Sequence, residues 1–111
     1  MKRVDSAKNQ CRAIIAVSLL ALTACSETAL KADIQRGEIL SQTCSSCHGD
    51  KGISNVPIYP TLAGQSIEDL ALKLNLFRSG ERVNELMTTY AQGLSEQDIT
   101  DLSAYYAQFN P

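Results

Sequence analysis

Cys44-Ser45-Ser46-Cys47-His48 is the stretch on which the reading of this 111-residue chain turns. Two thiols stand three positions apart, and an imidazole follows the second directly. That is the C-x-x-C-H pattern of covalent c-type haem attachment. The spacing has a chemical reason. Thiols so placed both reach the vinyl groups of one macrocycle and close thioether bonds, while the adjacent imidazole sits over a face of the ring as an axial iron ligand. Three other readings are weaker. A thioredoxin-like redox pair wants a βαβ setting, which the flanking sequence does not offer. A zinc site needs a fourth ligand, for which only Cys25 is available. A structural disulfide across two intervening residues is uncommon.

Upstream of the motif, the first 24 residues differ in kind from the rest. Lys2, Arg3, Lys8 and Arg12 precede the uncharged run Ala13–Ala24 (AIIAVSLLALTA). A basic flank followed by about a dozen apolar residues reads as an export signal, too short for a membrane span, which needs about 20. The run ends Leu22-Thr23-Ala24-Cys25, which resembles the bacterial lipobox. On that reading residues 1–24 are a lipoprotein-type signal peptide, and Cys25 is the lipid-bearing first residue that holds the protein at the membrane. The alternative is ordinary secretion with Cys25 an incidental thiol. Residues 25–32 then form a polar tether and residues 33–111 the domain.

Without the leader, six basic and eleven acidic residues remain in 87, a formal charge of −5. This acidic balance argues against nucleic-acid binding. The single His excludes paired imidazole ligation within the chain. A domain this small has a limited core and needs a staple. A covalently held haem supplies one.

Within the domain the periodicity is helical and no strand is convincing, so the fold class is all-α. Ile34, Gly37, Ile39, Leu40, Cys44 and Cys47 suggest one face of a first helix, capped by Asp33. Residues 49–65 hold three Gly and two Pro and read as loop. Ser66 with Asp69 resembles a capping box opening a second helix, with Ile67, Leu70, Leu74 and Phe77 on its apolar face and Gly80 at its end. Residues 81–94 suggest a short helix passing into a loop. Ser95 with Asp98 caps a last helix running through Ile99, Leu102, Tyr105, Tyr106 and Phe109.

With His48 taken as one axial ligand, the opposite position falls to Met, another residue, water or nothing. Met87, 39 residues on, is the only thioether outside the leader. Its alternative role is core filler. A His48/Met87 pair would raise the potential and leave no open coordination position, which favours electron transfer over catalysis.

The motif, together with Pro60-Thr61-Leu62-Ala63-Gly64-Gln65, Phe77-Arg78-Ser79-Gly80-Glu81-Arg82, Met87 and Asp101-Leu102-Ser103-Ala104-Tyr105-Tyr106, resembles class I mono-haem cytochromes c. The likeness is to compact bacterial members, whose two-haem relatives duplicate the module, and it spans about Asp33 to Phe109. It implies N- and C-terminal helices that cross, with loops and short helices around one covalent haem c on Cys44 and Cys47. It implies that the Pro60 carbonyl accepts from the imidazole Nδ1–H, and that Gly37 and Tyr105 meet where the helices cross. Leu40 departs from the aromatic that many members carry. Arg82 and Tyr59 are conceivable donors to haem propionates.

The implied function is a periplasmic, lipid-anchored carrier of single electrons, not an enzyme. Its partners would be respiratory redox proteins with basic docking surfaces, with no small-molecule substrate. The alternatives are a haem subunit fixed in a larger oxidoreductase, and a haem enzyme or gas sensor with an open distal site.

Overall fold

A computed structural model describes residues 29–111. The expected export leader, Cys25 and the start of the expected tether lie outside the described residues. Four helices, α1 (Ile34–His48), α2 (Ile67–Ser79), α3 (Glu85–Gln92) and α4 (Glu96–Ala107), follow one another, with a 3₁₀ turn at Asp50–Gly52. Among the described residues there is no strand, in keeping with the all-α expectation.

Each helix begins on a side chain suited to accept its first free N–H groups. Asp33 accepts from Arg36 N–H, Ser66 from Asp69 N–H, and Asn84 from Met87 N–H, all at 3.0–3.1 Å. At α4 the arrangement is reciprocal. Ser95 Oγ accepts from Asp98 N–H at 3.1 Å, and the Asp98 carboxylate accepts from Ser95 N–H at 2.8 Å. The reciprocal half expected at Ser66 is not formed, and only the serine side of that box is present.

Helices α1 and α4 cross closely, and α2 packs against α4 on its other side while carrying α3. Gly37 makes the crossing possible. A methyl group there would come within 2.3 Å of the Asp101 carbonyl oxygen and 2.9 Å of Tyr105 Cβ. The core is Leu70, Leu102, Tyr105 and Tyr106, flanked by Leu40, Cys44, Leu62, Leu74, Leu94 and Phe109. Tyr105 meets Tyr106 and Phe109 edge to face, at centroid distances of 5.1 and 5.0 Å. That is the geometry ring quadrupoles favour.

Two expectations need correction. The last helix ends at Ala107, so Phe109 reaches the core from the tail and not from the helix. Pro111 disfavours helical backbone at Asn110, so the helix could not have run on to the end of the chain. On α1, Ile39 is 67% exposed and Ile34 45% exposed. The face turned inward is Gly37, Leu40, Ser41, Cys44 and His48, a true i, i+3, i+4 series. Ile39 lies two positions from Gly37, hence on the far side of the helix.

Candidate haem site

The C-x-x-C-H stretch forms the end of α1. Positions i, i+3 and i+4 fall on one side of a helix, so Cys44, Cys47 and His48 share the last turn and one face. Gly49 follows and ends the helix. Cys44 and Cys47 are half-buried free thiols, not a disulfide. Burial pushes the Cys44 thiol up from its ordinary value, and contact with the Tyr106 hydroxyl works weakly against that shift. Tyr106 is itself pushed well up by burial and by the neighbouring Cys44.

His48 is 6% exposed. Its Nδ1 lies 2.8 Å from the Pro60 carbonyl oxygen. A carbonyl only accepts, so Nδ1 is the donor in this contact, and Nε2 is the ring nitrogen not engaged by Pro60. Two thiols, a buried imidazole held through Nδ1 by Pro60, and an apolar core packed against Cys44 fit a covalently attached haem.

The Pro60 segment is tied down on several sides. Leu62 N–H and Ala63 N–H donate to the Gly52 carbonyl at 2.7 and 3.1 Å. Ser54 N–H donates to Thr61 Oγ1 at 3.1 Å. Gln65 Nε2 donates to the Thr61 carbonyl at 2.7 Å, and Lys73 on α2 donates to Gln65 Oε1 at 2.5 Å. Gly52, Gln65 and Lys73 escape a reading of the sequence, because nothing local marks a loop carbonyl or an amide as a brace.

Met87 comes from a different element. It is the third residue of α3 and half-buried, held by the Asn84 cap through its N–H. The Arg82 guanidinium lies 4.8 Å from the centre of the Phe77 ring, in cation–π range. The Tyr59 ring is 6.5 Å from that of His48, tilted by 60°.

Residues 34–109 match the family model described as Cytochrome c. The chain belongs to the cytochrome c family. This cytochrome is 45% identical over 78 residues to cytochrome c-554(548) of Halomonas halodenitrificans, a match covering 68% of this chain and 94% of that protein. It is 33% identical over 75 residues to the cytochrome subunit of sulfide dehydrogenase of Chlorobaculum tepidum, covering 68% of this chain and 67% of that subunit. Its fold superposes on reduced recombinant cytochrome c4 from Pseudomonas stutzeri with a TM-score of 0.68 at 30% identity. The superposition takes in 72% of this chain and 47% of the cytochrome c4, so the chain spans about half the length of that relative. The all-α class I fold and one covalent haem c per domain follow from this membership, which accords with an electron carrier and not an enzyme.

Proposed function

We propose that this cytochrome is an exported carrier of single electrons, with His48 and Met87 as axial ligands and Cys25 as a lipid anchor. The observation that carries the reading is the buried His48, its Nδ1 against the Pro60 carbonyl at 2.8 Å, one residue after the second thiol. When bound, the haem supplies the one-electron chemistry, its iron alternating between Fe(II) and Fe(III). Cys44 and Cys47 hold the ring by thioethers. Pro60 fixes the plane and tautomer of His48 and strengthens it as a donor. Met87, brought by α3, presents the soft sulfur that favours the reduced state. With His48 and Met87 both held by the iron, no position would be left for a substrate.

Partner choice follows from charge. The exposed carboxylates Glu38, Asp50, Glu68, Asp69, Glu81 and Glu85 carry the negative field. Several of the basic groups are engaged within the domain. Arg36 pairs with Asp98 and Asp101, and Arg78 with Glu96. Lys73 and Arg82 are held as described above. An acidic surface of this kind steers the cytochrome towards basic docking faces. Periplasmic residence and a lipid on Cys25 would keep it beside membrane partners and raise their effective concentration.

An absorption spectrum of the purified holoprotein tests the reading. A low-spin ferric spectrum with the weak red band of methionine–iron(III) ligation is expected. A high-spin ferric form that readily binds cyanide overturns it. Mass spectrometry of the membrane fraction tests haem and acyl groups together.

A second reading, a haem subunit fixed in a larger oxidoreductase, is favoured by the likeness to the cytochrome subunit of sulfide dehydrogenase. Its test is whether the detergent-extracted protein runs alone or with a larger partner.

A further inference from the structure

The Pro60 carbonyl meets His48 from a loop, and the ring nitrogen of Pro60 has no N–H with which to anchor itself. Its position is set by its neighbours. The N–H groups of Leu62 and Ala63 both donate to one acceptor, the Gly52 carbonyl. Gly52 N–H donates in turn to the carbonyl of Gly49, the residue after His48, at 3.1 Å. Gly52 is buried and sits at φ 75°, a region that L side chains avoid. A methyl group there would stand 2.6 Å from Tyr106 Cδ1, 2.9 Å from Cε1 and 3.1 Å from Leu62 Cβ. Tyr106, 4% exposed on α4, cannot easily retreat, because Tyr105 packs against it edge to face.

We propose that Gly52, with the Tyr106 ring pressed against it, is a positioning residue for electron transfer. It seats the Pro60 carbonyl on His48 Nδ1 and thereby sets how strongly His48 donates to iron. The inference rests on His48 being an axial ligand, as argued above. A well-seated Nδ1–H···O bond gives the ring partial imidazolate character, which stabilises Fe(III) and lowers the potential. Loosening the seat weakens that donation and raises the potential. A purely architectural role for Gly52 has the opposite sign. A disturbed loop would admit water to the haem, favour the more highly charged ferric state and lower the potential.

The test compares holoprotein variants Gly52→Ala, Tyr106→Leu and Tyr106→Phe with the parent. Two quantities are read, the midpoint potential and the exchange rate of the His48 Nδ1–H in the reduced, diamagnetic protein by NMR. Gly52→Ala crowds the seat, and Tyr106→Leu removes its backstop. Both are expected to raise the potential and to speed exchange by about tenfold or more. Tyr106→Phe keeps the ring against Gly52 while losing the hydroxyl's contacts with Cys44 and, at 3.5 Å, with the Ser41 carbonyl, so its Nδ1–H exchange should stay much closer to the parent than that of Tyr106→Leu. If Gly52→Ala does not accumulate as holoprotein, Tyr106→Leu carries the same test. Unchanged exchange and potential, or a lowered potential, overturns the proposal. A parent protein whose His48 is ligated but shows no protected Nδ1–H also overturns the proposal, whereas a parent whose haem carries no histidine ligand overturns the ligand assignment itself, and the two failures are thereby distinguishable.

Discussion

The Asp101 carboxylate on α4, with no exposed surface, receives the Arg36 guanidinium of α1 at 2.5 Å. Arg36 also pairs with Asp98 one turn earlier. Asp101 further accepts from the backbone N–H of Asp33 at 2.8 Å and from Gln97 Nε2 at 2.7 Å. A carboxylate buried without partners would be costly. Here each oxygen is occupied, and the partners come from the N-terminal ends of both crossing helices. The pair therefore ties the start of α1 to α4, at the far end of α1 from the haem motif.

Acid should loosen this tie. Burial works against charge on Asp101, but the Asp33 N–H, Gln97 and Arg36 outweigh it and hold the carboxyl below the usual carboxylate range. Asp98 is held low first by its bond from the Ser95 N–H, against burial, with the Ser95 hydroxyl and Arg36 adding to the lowering. Groups whose folded value lies below the unfolded one, about 4 for Asp, stabilise fully above that value. The contribution fades as pH falls through the folded values. Urea midpoints should hold steady near neutrality and drop below about pH 4. Asp101→Asn should lower the neutral midpoint and flatten the acid drop. An unaltered acid profile in that variant would mean that other carboxylates dominate.

The helices were legible because their signals are local. Ser95 and Asp98 stand three apart before an apolar 3.6 period, and α4 begins where they place it. Pro60 reached His48 only through a family likeness, since nothing in a 17-residue loop says which carbonyl turns inward. Gly52 against Tyr106 and Lys73 on Gln65 were illegible for a stronger reason. The first joins a loop to α4 and forms only once the helices have packed, the second spans eight residues at the start of α2, and neither residue type announces its partner. Phe109 was misplaced because the helical period in the sequence runs on past Ala107, where the helix ends. Met87 stood out by elimination, as the remaining thioether, and not by any periodic signal.

Replacing Gly37 by Ala tests how rigid the crossing is. The new methyl meets the Asp101 carbonyl oxygen at 2.3 Å, and backbone gives way less easily than a side-chain tip. The helices must part by about an ångström, disturbing Tyr105 and the Arg36–Asp101 pair together. A loss of about 3 kcal/mol is expected, the upper part of the range for overpacked interiors. It is to be read as a lower urea midpoint of the holoprotein by circular dichroism. An unchanged midpoint would show that the crossing yields freely.

Ser103 offers a change of opposite sign. It is fully buried on α4, and its hydroxyl finds no hydrogen-bond partner among the described residues. An unmade bond of this kind costs about 1 kcal/mol or more, and Ala is the better helix former. Ser103→Ala should therefore stabilise the domain by about 1 kcal/mol, raising the thermal midpoint. A fall would indicate that the hydroxyl holds a buried water whose bonds are lost with it.

Met87→Ala separates ligand from filler. If Met87 only packs, its removal costs stability and leaves the haem spectrum intact. If its sulfur holds the iron, the ferric spectrum loses its red band and turns high-spin, and cyanide binds readily. The potential falls, because a soft thioether that favoured Fe(II) has been replaced by water. Met87→His should restore a low-spin spectrum while keeping the potential low, since imidazole fills the position without favouring the reduced state. The α3 N-terminus should survive both changes, because the Asn84 cap uses the backbone N–H of residue 87 and not its side chain. A spectrum and potential unmoved in Met87→Ala would send the search for the opposite ligand elsewhere.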